Sequence, residues 1–413
     1  MFLKRSAPPM RYPKTRLSLL MFIQFFIWGA TGPVLSLYLR ECLHFSGAQV
    51  GLVLGLAAVS SIVSPVIMTF LADRVISSER LLCLLNVVGG VFMYLFSLQT
   101  EFYPALLMYV LNNIAMNPTV PLINAISFHH SPGEREKFGN IRVWGTFGWI
   151  AVAWFFSFII LKDGGGAARG AGESPLPILL RIASVTAFVM AAYSLTIPKG
   201  SGRRPPDSKR EFFPVDAFRV ILKPQVLALA FVGAAGTFID RFYNVGASLY
   251  LKQIGFAEGD ILPAMSLGQV PEIFAMGALA LLLRRFGARV VLLSGICLGI
   301  FRFAVFAFGT ETWLIYTALS VHGLVYTFIM ITIVICLDRH CGAADRTGAH
   351  QLFAVVTAGF GGFFGNYAAG LVIDFFADSA GVVEYSAYWT VPLVVSVIIF
   401  VTILFVKPSN HNV

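Results

Sequence analysis

The chain has 413 residues, of which 57% are hydrophobic and only 12% are charged, and its mean hydropathy is +0.78. An ordinary water-soluble surface needs about twice that share of charged residues, so this composition excludes a soluble globular protein. The net charge of +9 does not indicate nucleic-acid binding, because the basic residues flank apolar runs where they would meet anionic lipid headgroups.

Apolar runs long enough to cross a bilayer recur along the chain, and each is near the roughly twenty residues that a spanning helix requires. We therefore expect an all-α membrane protein with twelve transmembrane helices in two six-helix bundles. The expected spans cover residues 17–39, 48–71, 81–98, 103–128, 141–161, 177–197, 226–251, 261–283, 290–308, 313–337, 349–376 and 387–406.

One long hydrophilic stretch separates the sixth span from the seventh. It contains SGRRPPDSKREF and is too short and too poor in apolar residues to bury a core of its own. The expected organisation is an N-terminal six-helix bundle over 1–198, a cytoplasmic linker over 199–224 and a C-terminal six-helix bundle over 225–413.

The distribution of basic residues predicts the orientation of the spans. Most of the 30 lysines and arginines lie in the N-terminal tail, the even-numbered loops, the linker and the C-terminus. Cytoplasmic loops carry an excess of basic residues, so both termini and the linker are expected in the cytoplasm. The opposite loops and helix ends hold only five, Arg40, Lys162, Arg169, Arg181 and Lys252.

Other patterns match nucleotide, metal or catalytic sites poorly. The glycine-rich GGGAARGAG at 164–172 lacks the GK[ST] ending of a phosphate-binding loop. Cys336, His340 and Cys341 have poor spacing for zinc. A membrane enzyme or receptor would need a nucleophile, a metal cluster or a sizeable extramembrane domain, and none is visible. We expect no cofactor, no metal, no catalytic residue and no enzymatic activity.

The informative residues are polar ones at membrane depth. Asp240 and Glu272 are the acidic residues near the middle of an expected span, on the seventh and eighth spans. Burying a charge in a bilayer is costly, so such residues usually serve function. The alternative is a structural ion pair, for example with Arg241 or Arg302.

Helical spacing groups further polar side chains with these two. Residues three, four or seven positions apart share a helix face, and four spans carry such stripes. Their chemistry suits a neutral ligand with a flat ring and several hydroxyls, which describes both sugars and nucleosides. The alternative is that each stripe merely hydrogen-bonds neighbouring helices. The stripes are Arg142, Thr146 and Trp149; Asp240 and Tyr243; Gln269 and Glu272; His322 and Tyr326.

Twelve spans in two halves with a basic central loop resemble the major facilitator superfamily. LADRVISSER at 71–80 is similar to its signature between the second and third helices, with Asp73 and Arg74 in place as the conformational motif. Thr69 stands where that superfamily usually has glycine.

More specific strings resemble the bacterial nucleoside:proton symporters. Their order and spacing carry the resemblance over most of the chain. They are QFFIWG at 24–29, NPTVPLINAIS at 117–127, IRVWGTFGW at 141–149, GQVPE at 268–272, FRFAVFAFG at 301–309, HGLVY at 322–326 and RTGAHQLF at 346–353.

The resemblance implies import of a nucleoside together with protons, by alternating access, across a bacterial inner membrane. We expect the protein to work as a monomer in the lipid bilayer. It implies substrate contacts from Arg142, Thr146, Trp149, Gln269, Glu272, His322 and Tyr326, to which Tyr243 is added from its stripe. Glu272 and Asp240 are the expected proton-coupling groups. A sugar or oligosaccharide:proton symporter is the alternative, and drug efflux is a weaker one.

Two positions depart from the family pattern. Relatives resembling this chain carry an aspartate on the tenth span where Thr327 stands, and amides on the seventh span where Asp240 and Tyr243 stand. One hypothesis is that Asp240 replaces the absent carboxylate.

Overall fold

The computed structural model describes residues 12–67, 76–130, 138–161, 174–198, 222–341 and 346–405. These residues are helical apart from short connections and one isolated β-bridge between Ala377 and Val383. The expected all-α membrane fold is confirmed. The α-helices are α1 Pro13–Thr31, α2 Leu35–Glu41, α3 Gly47–Ile67, α4 Ser78–Phe96, α5 Phe102–Met116, α6 Thr119–His130, α7 Phe138–Phe155, α8 Leu176–Ser194, α9 Pro224–Gln253, α10 Glu258–Ser266, α11 Gln269–Phe308, α12 Thr312–Ser320, α13 His322–Tyr326, α14 Thr332–His340, α15 Arg346–Ala354, α16 Gly362–Phe375 and α17 Tyr385–Phe405.

Ten helical stretches within the described residues are long and apolar enough to cross a membrane. One of them, Glu258–Phe308, has 51 residues and includes both the eighth and the ninth expected span. Gly287 interrupts it with φ 78° and ψ 161°, a backbone conformation that glycine adopts without steric cost. Gly47–Ile62 is apolar but shorter than the other stretches. The count of twelve spans stays a prediction.

Several expected spans are not continuous α-helices. The fourth is divided between α5 and α6 at Pro118, because proline has no backbone N–H to donate to the preceding turn of a helix. The tenth and eleventh contain the π-helical segments Thr327–Ile331 and Val355–Gly361. Such π-helical turns occur often at functional sites. Hydropathy cannot reveal these breaks, because the side chains on either side are equally apolar.

The chain forms two compact units. The first contains Met1–His44 and Ser60–Arg210, and the second contains Phe45–Val59 and Glu211–Val413. The expected boundaries at 198 and 224 stay a prediction, and most of the expected linker lies outside the described residues.

The first half of α3 belongs to the second unit, where the Asp374 carboxylate binds the start of this helix. Asp374, at the end of α16, accepts hydrogen bonds from the backbone N–H groups of Gly47 at 2.6 Å and Ala48 at 2.7 Å. These N–H groups lie at the start of α3, where a helix leaves its donors unpaired and favours a negative charge. Further along, Asn366 Nδ2 donates to the Leu54 carbonyl at 3.1 Å.

In the first unit, a close crossing of α1 and α7 positions the polar stripe of the fifth expected span. A Cβ placed on Gly148 would lie 2.2 Å from the Phe22 carbonyl oxygen, so only glycine permits this approach. Trp149, which follows Gly148 in α7, is thereby held against α1: a Cβ placed on Gly29 would lie 3.0 Å from Trp149 Cα.

Candidate functional site

Charged and aromatic side chains from three helices of the second unit meet at one place. Asp240 and Tyr243 lie one turn apart in α9, Arg302 lies in α11, and His322 begins α13. The i and i+3 spacing in α9 directs both of its side chains to the same face. We call Asp240, Tyr243, Arg302 and His322 the polar cluster.

Asp240 is the anion of the polar cluster. Its Oδ2 accepts hydrogen bonds from Arg241 Nη2 at 3.1 Å and from Asn244 Nδ2 at 2.8 Å. Its Oδ1 lies 3.8 Å from His322 Nδ1. The side chain is 24% exposed, so the carboxylate combines a structural ion pair with access for solvent. The structural ion pair with Arg241, which the sequence analysis gives as the alternative to a functional role, is therefore present. It leaves part of the Asp240 carboxylate accessible.

Arg302 is the buried cation of the polar cluster, with 1% of its surface exposed. Its Nη1 lies 2.7 Å from His322 Nδ1. Its guanidinium carbon lies 4.6 Å from the centres of both the Tyr243 and the Phe303 rings, within the range of cation–π attraction. Sequence reasoning names Arg302 only as a partner for an acid, although a basic residue inside an apolar span is itself a signal for a site.

Tyr243 and His322 form a stacked pair, with ring centres 4.3 Å apart and planes inclined by 19°. Tyr243 is buried, and its hydroxyl has no hydrogen-bond partner among the described residues. Because Tyr243 contacts Arg302 as well as His322, its ring fixes the relative positions of the cation and the imidazole.

Gln269 and Glu272 are next to this arrangement because α11 approaches the tenth span very closely. A Cβ placed on Gly323 would lie 2.2 Å from the Gly268 carbonyl oxygen and 2.5 Å from Glu272 Cβ. Glu272 lies in the first turn of α11, rather than in the middle of a continuous helix as its expected span suggests. A helix start favours a negative charge, which lowers the cost of placing a carboxylate there.

A small cavity adjoins the polar cluster. Its accessible volume is about 30 Å³ and its wall is mainly apolar, with Asp240 and Arg302 as its charged members. A cavity of this size has room for about one water molecule beside polar groups. The carboxylate and the guanidinium are thus not packed against side chains on every side.

The expected stripe of the fifth span lies in the first unit, within α7. The Arg142 guanidinium carbon lies 4.1 Å from the centre of the Phe25 ring. Thr146 is buried, and the indole of Trp149 lies beside Gly32 of the first expected span. Arg142, Thr146 and Trp149 follow one face of a continuous helix, as their spacing predicts.

The structure thus brings the sequence-predicted residues together in two sets. Asp240, Tyr243 and His322 are in direct contact, with Gln269 and Glu272 adjacent to them, and Tyr326 lies one helical turn beyond His322 with 42% of its surface exposed. Thr327, at the position where the family pattern is expected to have an aspartate, is fully buried. Asp73 and Arg74 lie outside the described residues.

Solved structures share this fold. A crystal structure of the nucleoside transporter NupG superposes with a TM-score of 0.83 at 22% identity, covering 96% of this chain and 100% of that one. A bacterial homologue of the human lysosomal transporter Spinster, in an inward-facing state, superposes with a TM-score of 0.72 at 16% identity, covering 95% and 94%. These likenesses show that the chain has the fold of the major facilitator superfamily.

Sequence comparison specifies the family. The family described as "Nucleoside H+ symporter" matches residues 12–412, and the chain belongs to it. Transporters of Escherichia coli (strain K12) are similar along their whole length. YegT, named provisionally as a nucleoside transporter, is 30% identical over 96% of this chain and 95% of its own. Xanthosine permease is 27% identical over 96% of each chain, and nucleoside permease NupG is 25% identical over 92% of each chain.

The expected assignment to nucleoside:proton symporters is therefore confirmed. The family is one of transporters, so the expectation that the chain is not an enzyme is also confirmed. The expected site residues are not tested by these similarities and stay predictions.

Proposed function

We propose that this protein imports nucleosides together with protons across the bacterial inner membrane. Family membership supports the cargo and the coupling ion. The observation that carries the proposal is the polar cluster, because a carboxylate, a guanidinium and an imidazole in contact within apolar helices are costly to maintain unless they serve transport.

Glu272 and Asp240 are proposed as the proton-coupling groups. Loss of hydration disfavours the charged form of a carboxylate, whereas the contacts of Asp240 with Arg241 and Asn244 favour it. In the proposed cycle each acid takes up a proton when the site opens to the outside and releases it when the site rehydrates inside. Neutralising the acid removes a desolvation cost that opposes closure. Protonation and the conformational change of alternating access are thereby linked.

Aromatic and polar side chains have different parts in substrate recognition in this proposal. Trp149 and Tyr326 offer broad aromatic faces to a base ring, and both side chains are accessible in part. Gln269, Glu272 and Arg142 carry the groups that hydrogen-bond ribose hydroxyls. Stacking supplies contact area, whereas the polar groups supply selectivity.

Thr146, Tyr243 and His322 complete the proposed substrate set. Thr146 is buried in α7, where its hydroxyl lies on the face that also carries Arg142. Tyr243 and His322 act as one stacked unit.

The remaining parts of the proposal concern topology and conformational change. Both termini are proposed to be cytoplasmic, and the protein is proposed to work as a monomer. Asp73 and Arg74 are proposed to form the conformational motif.

The test is uptake into proteoliposomes that contain the purified protein, with and without an imposed inward proton gradient. Labelled uridine, inosine, lactose and maltose are supplied separately. The proposal expects accumulation of a nucleoside only under the gradient, and no accumulation of either sugar. Gradient-driven accumulation of a sugar in the absence of nucleoside uptake would overturn the nucleoside assignment, and gradient-independent accumulation would overturn the coupling.

A further inference from the structure

The contact between Arg302 and His322 determines where the imidazole carries its proton. Arg302 Nη1 lies 2.7 Å from His322 Nδ1. A guanidinium has only donors, so Nδ1 must be the acceptor and must hold a lone pair. A neutral imidazole with an unprotonated Nδ1 carries its hydrogen on Nε2. His322 is therefore neutral in this arrangement and is the Nε2–H tautomer.

The surrounding charges do not favour the other tautomer. Asp240 is the nearest carboxylate, but its Oδ1 is 3.8 Å from Nδ1, which exceeds hydrogen-bond length. Asp240 is instead engaged by Arg241 and Asn244. Glu272 approaches from α11 through the backbone contact at Gly323. A hydrogen on Nδ1 would point at the Arg302 donor, 2.7 Å away, and would gain no acceptor in exchange.

Packing holds the imidazole ring in this orientation. The Tyr243 ring is stacked on one face of it. A Cβ placed on Gly268 would lie 3.3 Å from His322 Cβ, so the backbone of the eighth expected span confines the base of the side chain. Rotating the ring would break the Arg302 contact and the stack together. The tautomer and the direction of the Nε2–H group are both determined by neighbours.

The Nε2–H group is available to a ligand. The Nε2 atom has no hydrogen-bond partner among the described residues. It is also not among the fully buried side-chain atoms that lack a partner. The His322 side chain is 18% exposed. His322 therefore presents a single, oriented donor and cannot serve as an acceptor.

Nucleobases differ in what they offer to such a donor. Guanine-type and uracil-type edges present a carbonyl oxygen, an acceptor, whereas adenine and cytosine present an amino group at the equivalent position, which donates. A donor that faces another donor makes no hydrogen bond. Because an unpaired, desolvated polar group costs binding free energy, the site selects the base that offers an acceptor.

We propose that Arg302 positions His322 as an obligate hydrogen-bond donor, and that this protein consequently prefers 6-oxopurine and 4-oxopyrimidine nucleosides over their 6-amino and 4-amino counterparts. The inference rests on the proposed nucleoside transport. His322 contacts the base, and Arg302 is a positioning residue that acts through His322.

The experiment measures the ratio of transport efficiencies, kcat/KM, for uridine against cytidine and for inosine against adenosine. Each pair differs at the exocyclic group that His322 would contact and at the adjacent ring nitrogen, which carries a hydrogen only in the oxo member. The wild-type protein should prefer the oxo member of each pair by about tenfold. His322→Ala should bring both ratios close to one, chiefly by loss of uridine and inosine transport.

Arg302 variants test the positioning role separately. Arg302→Met should lower both ratios because the imidazole is then free to present either tautomer, and Arg302→Lys should restore part of the preference because it supplies a donor to Nδ1. Phe303→Leu is the matched control, since Phe303 packs on the guanidinium without a hydrogen bond to His322, and it should leave both ratios unchanged. Thermal unfolding of each purified variant identifies loss of fold. If His322→Ala is unfolded, His322→Gln replaces it: its side-chain amide has an acceptor as well as donors, so both ratios should fall towards one. If Arg302→Met is unfolded, Arg302→Lys is compared with Phe303→Leu instead.

Three outcomes would overturn the inference. They are equal transport of oxo and amino nucleosides by the wild-type protein, a preference that persists in His322→Ala, and an equal effect of Phe303→Leu and Arg302→Met on the ratios. If no nucleoside is transported or bound at all, the proposed function itself fails. If nucleosides are transported selectively but the preference does not depend on His322, only this inference fails and the proposed function stands.

Discussion

The two units accommodate cations at membrane depth in different ways. In the second unit, Arg302 contacts an imidazole and two aromatic rings, with Asp240 close by. In the first unit, Arg142 lies over the ring of Phe25. An aromatic face attracts a cation whatever the pH, whereas carboxylate and imidazole groups change charge when they bind a proton. The comparison teaches that the surroundings of Arg302 change charge on protonation, whereas the contact of Arg142 with Phe25 does not.

The strongest challenge to this comparison is Glu272→Gln. The amide keeps the hydrogen-bonding shape but cannot take up a proton, so the accumulation ratio under a proton gradient should fall to about 1. Exchange of internal for external nucleoside should persist, because it needs no net proton movement. Proteoliposome uptake and counterflow measure the two activities. Retained accumulation against the substrate gradient would remove Glu272 from the coupling mechanism.

Asp240→Asn tests the other proposed coupling group. The substitution removes the anion that engages Arg241 and Asn244 and leaves neighbouring cations uncompensated. The rate of proton-driven uptake should fall by at least about tenfold. Asn244→Ala is the control, because it removes a hydrogen bond to Asp240 and keeps the charge. Intact proton-driven uptake in Asp240→Asn would contradict the idea that Asp240 replaces the carboxylate missing at Thr327.

Both units depend on a close helix crossing, and alanine substitutions should affect them alike. A Cβ on Gly323 or on Gly148 would lie 2.2 Å from a backbone oxygen, so each Gly→Ala change should destabilise the fold by about 1–3 kcal/mol. Thermal unfolding in detergent measures the loss. Gly277→Ala in α11 is the control, because a Cβ there meets open space. Equal stability of all three variants would show that the crossings tolerate a side chain.

The smallest expected effect concerns the constant charge in the first unit. Phe25→Leu removes the ring beneath Arg142 while keeping an apolar side chain. Loss of the cation–π contact should raise the KM for nucleoside about two- to fivefold. The accumulation ratio at saturating substrate should not change. A change in coupling instead of affinity would show that the contact of Arg142 with Phe25 is linked to proton movement, and it would contradict the difference drawn between the two cations.

Much of the site follows from helical periodicity. Arg142, Thr146 and Trp149 share one face of α7 because that helix is regular, and Asp240 and Tyr243 share one face of α9 for the same reason. The role of Arg302 was not foreseen, since its partners lie on two other helices. The placement of Glu272 at a helix start was also not foreseen, because the turn before α11 leaves no mark in the hydropathy.

The sequence by itself determined the class of protein. A chain in a bilayer must form long apolar helices, and runs of apolar residues in the sequence identify them. It also determined which polar residues were candidates, since a charge in such a helix is exceptional. Only the tertiary structure decided which candidates meet. Contacts such as Arg302 with His322, or Asp374 with the start of α3, depend on helix crossings set by glycines far apart in the chain, and no local pattern encodes those distances.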